Sequence, residues 1–88
     1  MPKKPRPEVV NAAIYEVVDN QLRDNTPPET RQTLDRLVAE GHSQAEARRL
    51  IAAVVACEIF ALLKHQRSYD PASYVAALQK LPKMPWDQ

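Results

Sequence analysis

The chain reads as all-α: a small four-helix bundle with an apolar third helix at its centre and a short disordered arm in front. Three observations predict this. No segment shows the apolar–polar alternation of a half-buried strand, whereas apolar residues recur at helical spacing in several segments. Residues 50–63 form a nearly unbroken apolar run in which only Glu58 is charged. The single glycine, Gly41, stands two residues ahead of Ser43-Gln44-Ala45-Glu46, so a left-handed helix stop is followed at once by a capping box that begins the next helix.

Residues 1–7 hold three prolines and three basic residues, Lys3, Lys4 and Arg6, and are expected to be a disordered arm. The domain is expected to span residues 8–81, with 82–88 as a tail. The first helix should start near Glu8 and end by Asp24 or Asn25, with Val10, Ile14, Val17, Val18 and Leu22 as its apolar stripe. Thr26-Pro27-Pro28-Glu29 is a second capping-box pattern, with proline in the permitted first turn. The helix it opens should be short and mostly exposed, turning Leu34, Leu37 and Val38 inward until Gly41 stops it. The third helix follows. After a turn at Arg67-Ser68-Tyr69, Asp70 caps a fourth helix opened by Pro71, with Tyr74, Val75, Leu78 and Leu81 on one face. Pro82 closes it, and Met84 and Trp86 in the proline-broken tail are able to fold back onto apolar surface.

With 88 residues the chain is one domain with little area for a large core. A third helix that is apolar nearly all round needs cover on several sides, supplied either by three helices or by a second copy. The residues it would offer a second copy are Leu50, Val54, Ile59 and Phe60. Twelve basic against eleven acidic residues leave a net charge of +1, which argues against a general attraction to nucleic acid or anionic lipid. Arg48 and Arg49 at the start of the third helix, with Lys64, His65 and Arg67 at its end, come without a recognition-helix or stacking-aromatic pattern. A lone cysteine inside the apolar run, Cys57, points to a reducing cytoplasm and to a buried small hydrophobe. The apolar run covers only about 21 Å at 1.5 Å per residue, too short for a membrane span. No catalytic constellation stands out. His42 and His65 bracket the third helix on the order of 30 Å apart and cannot share a metal or a proton within one copy, and Cys57 has no histidine spaced to activate it.

One constellation is less bland. Asn11, Tyr15 and Asp19 fall at i, i+4 and i+8 on the first helix, and Ala45, Glu46 and Arg49 occupy the first turns of the third, so two polar lines can face each other. At these residues the chain resembles an uncharacterised family of small bacterial helical proteins, a domain of unknown function. The likeness runs through Val17-Val18-Asp19-Asn20-Gln21-Leu22, Pro27-Pro28-Glu29 on to Leu34 and Gly41, Glu46-Ala47, and Tyr74 to Leu78. Members of that family carry H-x-x-x-H-x-x-x-E-N-Q on the first helix and H-E-A-x-H at the start of the third, spacings that suit a transition-metal site inside a bundle. The resemblance implies a metal-binding ancestry. Here the positions matching the motif histidines are Asn11, Tyr15, Ala45 and Arg49, and those matching the carboxylates are Asp19 and Glu46, so no imidazole remains and no metal or other cofactor is expected.

The charge swap at matched positions predicts that Arg49 takes the metal's place, pairing with Asp19 while Tyr15 or Glu46 completes a structural cluster. The expected function is that of a non-enzymatic cytoplasmic protein acting through self-association, most simply a homodimer, or through contacts with other proteins. A second reading keeps an altered metal site between the first and third helices; a third and weaker one is nucleic-acid binding.

Overall fold

The computed structural model describes residues 12–65 and 70–83. They form four helices in the order α1 (Ala12–Asp24), α2 (Pro28–Ala39), α3 (Gln44–His65) and α4 (Pro71–Lys80), with no strand among the described residues. The protein is a small all-α four-helix bundle measuring 34 × 26 × 24 Å. α1, α2 and α4 all pack on α3, and α2 also packs on both α1 and α4.

The ends of the helices follow local chemistry, with one exception. α1 stops where Asn25 turns left-handed at φ 52°, and the Thr26 N–H donates back to the Gln21 carbonyl at 3.1 Å. The exception is the start of α2. Thr26 does not cap it; its hydroxyl donates instead to the Asp24 carbonyl at 3.0 Å, closing the end of α1, and the N-cap position falls to Pro27 with no side-chain cap. Gly41 has φ +107°, and around it His42 N–H reaches Leu37 O while Gly41 N–H reaches Val38 O, both at 3.0 Å. This is the paired closure of a Schellman end, and the left-handed residue it requires explains the glycine.

Ser43 caps α3 by accepting from the Glu46 N–H at 3.0 Å. The reciprocal half of the capping box gives way, because both Glu46 carboxylate oxygens accept from Arg49. Asp70 caps α4 by accepting from the Ala72 N–H at 3.0 Å. At the other end of α4 the Leu78 carbonyl accepts from the Leu81 N–H, which closes the helix, and from Arg36 of α2, both at 3.1 Å.

The core is Ile14 and Val18 of α1, Leu34 and Leu37 of α2, Leu50 to Val55 of α3, and Tyr74, Leu78 and Leu81 around α4. Two expectations for these stripes fail. Val17 and Val38 sit at the edges of their helices and stay exposed. α2 is short and mostly exposed, as expected, but the face it buries holds Thr30 and Thr33 beside its leucines, because it packs on α1, α3 and α4 at once. Leu50 and Val54, expected on a surface shared with a second copy, are internal: α1, α2 and α4 together close over the first half of α3 and leave them 5% and 0% exposed. Ile59 and Phe60 lie beyond that cover. The expected arm at residues 1–7, the start of the first helix at residues 8–11 with Val10, the turn at residues 67–69, and Met84 and Trp86 lie outside the described residues.

Candidate functional site

Three groups of side chains stand apart from the aliphatic core. The first is the polar seam between α1 and α3. Arg48 donates to both carboxylate oxygens of Asp19, at 2.8 and 2.7 Å, and its guanidinium lies over the Tyr15 ring, 4.3 Å from the centroid. Arg49 turns the other way and makes a two-point pair with Glu46 at 3.0 and 2.7 Å. The partner of Asp19 is therefore Arg48 and not Arg49. The cause is helical phase: residues 48 and 49 differ by about 100° around the helix, and of the two Arg48 reaches the α1 carboxylate. Asn11 lies outside the described residues, and Ala45 is exposed and has no polar side chain to offer.

Both carboxylates titrate below their ordinary range, Asp19 chiefly because Arg48 hydrogen-bonds it and Glu46 chiefly because Arg49 does. Each is held ionised by an arginine in contact with it, an arrangement that disfavours a cation in the same place. Among the described residues no three His, Cys, Asp or Glu side chains gather in a way that could hold a metal ion. Arg48 and Arg49, two of the basic groups a phosphate backbone would need, are both occupied by carboxylates.

The second group joins a half-buried glutamine to two buried hydroxyls and was not legible in the sequence. Gln21 of α1 accepts through Oε1 from the Tyr74 hydroxyl and from the Thr30 hydroxyl, both at 2.8 Å, and the two hydroxyls lie 3.4 Å apart. One glutamine oxygen thus ties α1, α2 and α4 together. Among the described residues no buried side-chain polar atom lacks a partner.

The third group is apolar and exposed. Beyond Ala56 the second half of α3 leaves its cover: Ile59 is 38% exposed, Phe60 55% and Leu63 76%, with Val17 of α1 alongside at 38%. Between this strip and α4 runs an open groove of about 140 Å³, lined by Val17, Val55, Ile59 and Leu62 with Gln21, Glu58 and Tyr74 at its polar side. Ser73 donates to Glu58 at 3.3 Å across the same region. Cys57 is half-buried at the border, and burial, with the Glu58 charge adding to it, pushes its thiol up to about 11, so it is poorly suited to act as a nucleophile.

Compared with protein-family models, with curated proteins and with solved structures, the chain finds no match. The bacterial-family resemblance rests on its motif positions alone. No helix among the described residues is long and apolar enough to cross a membrane.

Proposed function

We propose that this protein is a non-enzymatic helical module that acts through self-association, two copies meeting on the exposed second half of α3. The observation that carries the reading is the strip of Ile59, Phe60 and Leu63 with Val17 beside it. Taking the ~150–250 Å² of an aromatic side chain as an upper scale for all four, their exposures leave on the order of 400 Å² of apolar surface per copy. Two copies would hide about 800 Å² of it. At the ~57% apolar share typical of interfaces, the contact as a whole would bury about 1,400 Å², within the ~1,200–2,000 Å² range of stable complexes. A patch of this size on a monomer is often functional.

The strip itself carries no charge, and Lys64 at its end has a stem long enough to keep its ammonium in water. Glu58, at the polar side of the neighbouring groove, already accepts from Ser73 at 3.3 Å. A contact protein needs no reactive group, and the candidate groups here are spoken for: the seam carboxylates are paired, and the one cysteine is held in its thiol form.

Sedimentation of the untagged protein from about 1 to 500 μM tests the proposal. The expected result is a rise from the mass of one chain to that of two, abolished when Leu63→Glu places a charge in the strip. A single-chain mass across the whole range would overturn it.

A further inference from the structure

We infer that the groove between α1, α3 and α4 is the socket for Phe60 of a second copy, each copy inserting its own Phe60 into the other's groove. This rests on the self-association reading and states its geometry. The first argument is size: about 140 Å³ is the scale of a cavity that holds a single benzene ring, as apolar cavities of ~150 Å³ do. Its Val17, Val55, Ile59 and Leu62 walls are aliphatic, suited to a ring with no polar atom.

The second argument is the supply of rings. Of the described aromatic residues, Tyr74 is buried with its hydroxyl bonded to Gln21, and Tyr15 lies under Arg48. Phe60, 55% exposed, is the ring that projects outward. It cannot enter its own groove. At about 100° per residue, Phe60 points more than a third of a turn away from the direction shared by Val55, Ile59 and Leu62 on the same helix.

A ring and a ring-sized groove at the same height on α3, separated by rotation about its axis, are the two halves of a self-complementary contact. A two-fold axis lets both rings seat at once and leaves neither groove open, so assembly closes at two copies rather than continuing into a filament. Such a centrally placed aromatic in a pocket is the usual anchor of an interface.

The test combines variants with a direct contact measurement on the full chain. Phe60→Ala removes the ring and Val17→Trp fills the socket from within its own chain, at a position exposed enough to accept the change. Each is expected to weaken association tenfold or more while circular dichroism keeps its helical signal. Mixed together they should associate more tightly than either alone, because the alanine variant offers an open socket to the Phe60 of the other. In a dimer of one isotope-labelled and one unlabelled copy, filtered nuclear Overhauser spectra should link the Phe60 ring to the Val17 methyl groups between copies.

A dimer that Val17→Trp leaves intact would overturn the socket while sparing self-association, as would contacts from Val17 to the chain's own Tyr69 or Trp86 in place of Phe60. A wild-type chain that never exceeds single-copy mass would remove both.

Discussion

The two halves of α3 are alike in composition and opposite in circumstance. Residues 50–56 are buried almost completely under α1, α2 and α4, whereas Ile59, Phe60 and Leu63 carry the same kind of side chain into open solvent. The difference teaches that apolar character along a helix states a demand for cover without saying who meets it. In the first half the chain meets the demand itself. In the second, among the described residues, Ile59, Phe60 and Leu63 pass beyond the cover that α1, α2 and α4 give to residues 50–56.

The sharpest way to break this contrast is to cut the same kind of side chain from each half. Ile51→Ala, at a position with no exposure, is expected to cost about 2–5 kcal/mol of folding stability by leaving a cavity. Leu63→Ala should change the stability of the dilute single chain by less than about 0.5 kcal/mol. Urea unfolding at low micromolar concentration compares them, and equal losses would mean that the second half is covered within the chain.

Cys57 marks the border. With its thiol pushed up to about 11, its labelling by a thiol reagent at pH 8 should run about a hundredfold slower than that of a free cysteine, because the thiolate is the reacting form. Labelling at the free rate would place the border earlier along the helix.

Smaller effects are expected where polar groups lock the covered half. Tyr74→Phe removes one of the two donors to Gln21 Oε1 and is expected to cost about 1–2 kcal/mol, seen as a shift in the urea midpoint with an unchanged slope.

Asp19→Asn should cost less still, under about 1 kcal/mol, because the Arg48 pair is half in solvent. The pair's pH dependence has a definite sign. The folded state lowers the pKa of Asp19, so the contribution is present above the ordinary carboxylate range and is lost as pH falls through the lowered value, below about pH 4. The gap between the unfolding curves of wild type and Asp19→Asn should therefore be widest near pH 7 and shrink progressively as pH is taken down below about 4.

Much of the architecture was legible because it is written in local chemistry. Gly41, Ser43 and Asp70 each act within a few residues of chain, and each does in the fold what its neighbours predict. Thr26 shows the limit. Its pattern read as a cap for α2, but the same hydroxyl had a nearer acceptor in the Asp24 carbonyl, and a pattern within one chain segment does not rank two partners.

The candidate site was legible only as a neighbourhood. The i, i+4 spacing brought Tyr15 and Asp19 to the face that meets α3, yet choosing between Arg48 and Arg49 required the rotation of α3 about its axis. Nothing in the sequence linked Gln21, Thr30 and Tyr74 to one another, because they are 9 and 44 residues apart and belong to three different helices.

The sequence by itself determined four helices, the stop at Gly41, the caps at Ser43 and Asp70, and an excess of apolar surface on the third helix, since these follow from residue type and spacing along one stretch of chain. Only the tertiary structure decided which arginine meets Asp19, which oxygen joins three helices, and which half of α3 is left bare. Those outcomes depend on the lengths and rotations of helices packed against one another, quantities that exist only once the chain has folded.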